Sequence, residues 1–111
     1  MPEAGYAEIT PLDLKKRLDK GDKLPLLDVR EAPELAICQL PGNVHIPMSQ
    51  LQARIDELDS YKQNDIVVYC RSGGRSAQCV QYMRRLGYKA INLAGGILAW
   101  SDQVDPSVVK Y

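Results

Sequence analysis

The sequence predicts an α/β domain: a mostly parallel central sheet of about five strands, with helices on both faces. Three observations carry this. Two runs, Leu24–Val29 (LPLLDV) and Asp65–Cys70 (DIVVYC), are almost continuously apolar and of strand length, as expected of strands buried on both faces. Short β-like runs alternate along the whole chain with helix-like stretches, which implies right-handed crossovers. No repeat, low-complexity tract or long linker interrupts this alternation, and 111 residues fit a single domain covering 1–111.

Taken in order, Tyr6–Ile9 reads as a weak first strand. Thr10 and Pro11 supply an N-cap and first helical residue, and Leu12, Leu14 and Leu18 give that helix its apolar face until Gly21 ends it. The strand Leu24–Val29 follows, then a short helix from Ala32 to about Ile37. Pro41 and Gly42 turn the chain into a short strand, Asn43–Ile46. Ser49 is placed to cap a helix that presents Leu51, Ile55 and Leu58. After the strand Asp65–Cys70 comes a helix over Ser76–Leu86, closed by Gly87. Ala90–Leu93 is the last strand, and Gly95 and Gly96 open a final helix through Trp100, which is expected in the core.

Composition excludes several classes of function. Fourteen Lys and Arg balance fourteen Asp and Glu, so charge offers no basis for binding nucleic acid or an anionic membrane. No apolar run approaches the ~20 residues that span a bilayer. The first residues, MPEAGYAEIT, lack the basic and apolar regions of a secretory signal, and a cytoplasmic location is expected. Three cysteines, Cys38, Cys70 and Cys79, with no C-x-x-C and a single histidine, His45, argue for free thiols rather than a disulfide framework or a metal site. No metal site is expected.

The chemistry concentrates in Cys70-Arg71-Ser72-Gly73-Gly74-Arg75-Ser76. In a parallel sheet, ligands bind at the carboxyl ends of strands, and Cys70 closes one. Two adjacent glycines let the following backbone curl so that successive N–H groups converge as an anion nest. The next helix adds its unpaired N–H groups and the positive end of its dipole. Arg71 and Arg75 add full positive charges. A free thiol near ~8.5 shifts in such a setting toward the roughly 3.5–7.5 range of reactive cysteines. The loop suits a thiolate nucleophile, and equally a charged group carried on that sulfur.

These residues resemble the active-site loop of rhodanese domains, and the resemblance extends over nearly the whole chain. Leu26-Leu27-Asp28-Val29-Arg30-Glu31 is similar to the family's D-V-R-E motif. Leu40-Pro41-Gly42-Asn43-Val44-His45-Ile46-Pro47 is similar to I-P-G-A-x-x-I-P, with Asn43 where alanine is usual. Leu93-Ala94-Gly95-Gly96-Ile97-Leu98-Ala99-Trp100 is similar to L-x-G-G-x-x-A-W. The resemblance implies a rhodanese-like fold and a sulfurtransferase: Cys70 takes a sulfane sulfur from a donor, holds it as a persulfide, and passes it to a thiol, cyanide or sulfur-carrier protein. Arg71, Ser72, Gly73, Gly74, Arg75 and Ser76 would bind substrate and stabilise the persulfide, and the mechanism so implied would require no metal or organic cofactor.

Two other functions compete with this one. A related phosphatase group has a similar fold, but its Cys-to-Arg loop is one residue longer; only Arg71 to Gly74 separate Cys70 from Arg75 here, a cradle better matched to a persulfide than to a phosphoryl group. Rhodanese-like binding or regulatory modules have lost the cysteine, which this chain retains. Rhodaneses that favour thiosulfate often carry lysine where Ser72 stands, so a protein persulfide is at least as good a donor candidate as thiosulfate.

Among supporting residues, Asp28 is expected to orient Arg75 or the loop amides, and Arg30 to contact an anionic substrate or brace the rim. Arg75 is expected to stay within the site and Arg71 to point outward. Glu31 and Glu34 read as helix N-terminal charges. Cys38, Cys79 and His45 read as packed residues. The C-terminal stretch, Trp100 to Tyr111, resembles the W-x-x-x-V-D-P-S-x-P-x-Y ending of rhodanese domains fused behind ubiquitin-activating-like adenylyltransferases, with Val109 in place of proline. That resemblance implies as partners a sulfur-carrier protein ending in Gly-Gly and a fused or separate adenylyltransferase.

Overall fold

The computed structural model describes residues 7–111. Its elements run β1 (Glu8–Ile9), α1 (Pro11–Asp19), β2 (Leu26–Asp28), α2 (Ala32–Ile37), β3 (Val44–His45) and α3 (Met48–Arg54). A 3₁₀ helix (Ile55–Tyr61) follows, then β4 (Asp65–Tyr69), α4 (Gly74–Arg85), β5 (Lys89–Leu93) and α5 (Gly96–Gln103). All five strands are parallel, in the order β1-β5-β4-β2-β3. The α/β class, the strand number and the parallel sheet agree with the sequence-based expectation. Among the described residues no helix is long and apolar enough to cross a membrane.

Strand alternation sorts the core onto two faces. Leu27, Val29, Ile66, Val68 and Ala90 pack on the side holding Leu51, Leu58, Val80 and Met83, the face covered by α3, the 3₁₀ helix and α4. Leu26, Val67, Tyr69 and Leu93 pack on the other side with Leu14, Ile97 and Trp100, the face covered by α1 and α5. Burial on both faces is why β2 and β4 read as nearly continuous apolar runs.

The structure adjusts several boundaries. Tyr6 lies outside the described residues. Thr10 does cap α1, its Oγ1 accepting from the Asp13 N–H at 3.2 Å, with Pro11 first in the helix. Leu12, however, is 53% exposed: Leu14 and Leu18 share the core side at helical spacing, and a residue two before Leu14 falls on the opposite face. Pro47, not Ser49, stands at the N-cap of α3, where its missing N–H costs nothing. The expected single helix then breaks at Arg54 (φ −112°, ψ 11°) and continues as 3₁₀, yet Leu51 and Leu58 are still buried. The boundary that matters for chemistry is the start of α4. It begins at Gly74, two residues ahead of expectation, so Arg75 belongs to its first turn rather than to a loop, and Ser76 sits further inside that turn.

Candidate active site

Cys70 follows the last residue of β4, in the alternation that places Ile66 and Val68 beneath α4. Its sulfur therefore lies on the α4 side of the sheet, at the carboxyl edge, and the residue is only 1% exposed. An attacking group must reach it within the loop rather than across open surface.

The loop is shaped from two directions. Gly73 adopts φ 107° as the N-cap of α4, a left-handed conformation that side-chain-bearing residues rarely take. From the other side, α5 docks on the loop backbone: the Ile97 N–H donates to the Cys70 carbonyl at 2.9 Å and the Leu98 N–H to the Arg71 carbonyl at 3.1 Å. Gly96 permits this approach, since a Cβ there would lie 2.5 Å from the Arg71 carbonyl oxygen and 2.7 Å from that of Cys70. Across a trans peptide the next N–H points opposite to the carbonyl. With both carbonyls turned to α5, the amides of Arg71 and Ser72 face away from it.

The sulfur itself accepts from the Gly73 N–H at 3.1 Å and from the Ser76 hydroxyl at 3.4 Å. Burial pushes the Cys70 thiol up. Hydrogen bonds from the Ser76 hydroxyl and from the amides of Ser76, Gly73 and Ser72 outweigh it, and the net direction is below an ordinary thiol. The N-terminal turn of α4 supplies most of these donors, so the helix end and the sulfur form one electrostatic unit.

The charged residues are arranged differently from expectation. Arg75 is held by Glu34 of α2 in a bidentate pair, Nη1 to Oε1 at 2.7 Å and Nη2 to Oε2 at 2.9 Å. Pairing with Glu34 raises the Arg75 guanidinium above its usual range, and the negative charge available at Cys70 adds to this. Arg75 is thus anchored beside the site, with its charge largely answered by a carboxylate rather than free for a donor anion. Glu34 does serve its helix end, accepting from the Glu31 N–H at 3.1 Å, but it also receives the Tyr111 hydroxyl at 2.6 Å. Arg71 is exposed, its guanidinium 5.0 Å from the Tyr111 ring centroid and bonded to the Tyr111 carbonyl. Ser72 on the loop and Gly74 at the start of α4 are exposed.

Asp28 and Arg30 do not reach the sulfur, and the reason is strand parity. Asp28 stands opposite Tyr69 in register, on the α1 and α5 face, whereas Cys70 is on the other. Both Asp28 and Arg30 are fully buried. They pair with each other, Nε to Oδ1 at 3.0 Å and Nη2 to Oδ2 at 2.7 Å. Arg30 also donates to the Cys38 carbonyl at 2.7 Å and the Tyr111 hydroxyl at 2.9 Å, and it stacks on the Tyr69 ring at 5.7 Å. Asp28 therefore orients Arg30, not Arg75 or the loop amides. Arg30 braces the β2 exit against α2 and the C-terminal stretch, out of reach of a substrate.

Cys79 is buried in the core, its thiol pushed up to about 12 by burial and by the neighbouring Cys70 charge, which leaves it inert. Cys38 closes α2, and His45 Nε2 lies 2.6 Å from the Arg30 carbonyl, so both are packed residues, as expected. Three participants carry no role in the site in the sequence-based expectation: Glu34, read only as a helix N-terminal charge, and Tyr111 in the arginine network, and Asn92 on β5. Asn92 has a visible mark, being a polar amide within the apolar stretch Ala90–Leu93 of β5.

Comparison with known proteins agrees with this geometry. The family model described as rhodanese-like domain matches residues 10–103. A protein of Allochromatium vinosum named "Sulfurtransferase" is 38% identical over 102 residues, covering 91% of this chain and 94% of its own length. The "Probable adenylyltransferase/sulfurtransferase MoeZ" of Mycobacterium tuberculosis is 36% identical over 104 residues, 93% of this chain but 26% of MoeZ. A rhodanese-related crystal structure from Thermoplasma volcanium superimposes with a TM-score of 0.83 at 30% identity, covering 96% of this chain and all of its own. Fold, motif order and relatives converge: the chain belongs to the rhodanese-like domain family and is a rhodanese-type sulfurtransferase.

Proposed function

We propose that Cys70 carries the transferable sulfur as a persulfide, with the backbone amides of the Arg71–Ser76 turn and the Ser76 hydroxyl stabilising its charge. The observation that carries this reading is the convergence of the Gly73 N–H and Ser76 hydroxyl on a buried sulfur at a helix N-terminus. The Cys70 thiolate attacks the outer sulfur of a donor such as thiosulfate. The donor S–S bond breaks, sulfite leaves with the bonding pair, and Cys70 holds a persulfide anion. A thiolate or cyanide then attacks the outer sulfur, the S–S bond breaks and the Cys70 thiolate leaves. Toward an adenylated carrier the outer sulfur instead attacks the acyl carbon, AMP leaves, and a reducing thiol cleaves the resulting acyl disulfide to release the carrier thiocarboxylate and Cys70. Amides already aimed at the anion need no rearrangement during either step.

The donor and acceptor follow from the charges around the loop. Arg75 is answered by Glu34 and Ser72 adds no cation, so the site is modestly equipped for a small dianion, and a protein persulfide is the better natural donor. The ending shared with adenylyltransferase fusions, together with similarity to MoeZ over about a quarter of that protein, favours an adenylated sulfur-carrier protein ending in Gly-Gly as acceptor. Incubation with thiosulfate should add one sulfur atom by mass spectrometry, and cyanide should remove it. Uptake that persists in Cys70→Ser would overturn the assignment. A pre-adenylated carrier that gains no sulfur from the persulfidated protein, while small thiols accept it, would leave a general sulfurtransferase.

A further inference from the structure

Asn92 is the residue whose presence neither the fold nor the family chemistry described above requires. It sits in β5, between Glu8 of β1 and Val68 of β4 in register, and is 2% exposed. Alternation places it on the face of Ala90, beneath α4, where an apolar residue would serve packing better. Burying an amide costs free energy unless its groups are paired. Here they are: Nδ2 donates to the Gly73 carbonyl at 3.3 Å and to Glu8 Oε2 at 3.4 Å, and Oδ1 accepts the Ser76 hydroxyl at 2.5 Å.

The Ser76 hydroxyl has one proton and three acceptors within reach: Asn92 Oδ1 at 2.5 Å, the Gly73 carbonyl at 3.2 Å and the Cys70 sulfur at 3.4 Å. The Gly73 carbonyl is already served by the Ala77 N–H at 3.0 Å and by Asn92 Nδ2. The contest is therefore between Asn92 and the sulfur. We propose that Asn92 is a positioning residue for the reacting sulfur: its Oδ1 competes with Cys70 for the single Ser76 proton, giving that proton one seat when negative charge rests on the Cys70 sulfur and another when the charge has moved to an outer sulfur. In either state Ser76 keeps an acceptor and Asn92 keeps its Nδ2 bonds to the Gly73 carbonyl and Glu8, so the loop need not rearrange between thiolate and persulfide.

The inference rests on Cys70 being the reacting sulfur, but its test reads the sulfur's titration rather than sulfur transfer, so the two can fail separately. Other ionisable groups bearing on the cluster are Arg75 and Cys79 on α4 and Glu8 on β1. The Cys70 alkylation rate by iodoacetamide is followed against pH, with the Cys70 peptide quantified by mass spectrometry, in the full chain. Asn92→Ala removes the competing acceptor while the Ala77 N–H still holds the Gly73 carbonyl. Its midpoint should fall by about half a pH unit, part of what a charge-assisted hydrogen bond supplies. In a Ser76→Ala background the same substitution should leave the midpoint unmoved. Asn92→Asp keeps the shape and accepts more strongly, so its midpoint should rise, and by more with Ser76 present than with alanine there. That variant decides the matter if Asn92→Ala fails to fold. A rise in Asn92→Ala, as simple loosening of the loop would give, overturns the proposal. So does a shift in either variant of the same size with and without the Ser76 hydroxyl.

Discussion

Glu34 and Arg75 form a two-bond ion pair that joins α2 to the first turn of α4, 2.7 and 2.9 Å long, beside the Cys70 loop. It settles how much positive charge the loop can offer an incoming anion. With Glu34→Gln the guanidinium is released, and the Michaelis constant for thiosulfate should fall several-fold at low ionic strength, with a smaller fall as salt screens the charge. An unchanged constant would show that Arg75 does not face the donor even when free.

The same pair predicts an acid-side stability change. Arg75 first, and the Tyr111 hydroxyl after it, hold the Glu34 carboxyl at about 2. A depressed carboxylate stabilises the fold fully above its unfolded value, about 4.3, and the contribution disappears as pH falls through its folded value. Thermal melts should therefore show Glu34→Gln losing its deficit relative to the parent between roughly pH 4 and pH 2. A deficit constant across that window would rule the pair out as the cause.

Ser76→Ala removes a donor to the sulfur. The alkylation midpoint of Cys70 should move up by about one pH unit, the order of one charge-assisted bond, since the thiolate loses a partner and burial does not change. A parent midpoint at the free-thiol value near ~8.5 would mean that the donors only offset burial and do not outweigh it.

Gly96→Ala places a methyl 2.5 Å from the Arg71 carbonyl oxygen at a residue with φ +64°. Either the loop or α5 must retreat. Urea denaturation should show a loss of about 1–3 kcal/mol. Sulfur transfer to cyanide should fall further than the folded fraction does, because the loop carbonyls lose their donors.

Asp28→Asn leaves the fully buried Arg30 charge without its partner and should cost about 3–5 kcal/mol. The double change Asp28→Leu with Arg30→Met should be markedly less harmful. Transfer rates per folded molecule should match the parent in the double variant. A specific loss of rate there would restore the pair to the active site.

Turnover of p-nitrophenyl phosphate dependent on Cys70 should be negligible, because only four residues span Cys70 to Arg75 and Arg75 is engaged by Glu34. Phosphatase activity comparable to sulfur transfer would reverse that ranking.

Much of this molecule is legible in its amino-acid order. Short, unbroken apolar runs alternating with helical stretches read as strands covered on both sides, so β2, β4 and the parallel sheet follow from the residues at those positions. Cys70 at the end of one run, followed by two glycines, points to a turn with converging amides, because backbone conformation there is local. The relations that the sequence does not reveal are those set by parity and by distance along the chain. A shift of one residue moves a side chain to the other face, and this puts Asp28 and Arg30 in a buried pair away from Cys70. Glu34 and Tyr111 meet Arg75 and Arg71 only because crossovers bring α2 and the C-terminal stretch to the sheet edge where α4 begins. Asn92 reaches Ser76 because β5 lies beside β4 in the sheet order. Local sequence determined which groups this protein owns and how each segment folds; the packing of segments distant in sequence decided which charges are spent on one another and which remain for the sulfur.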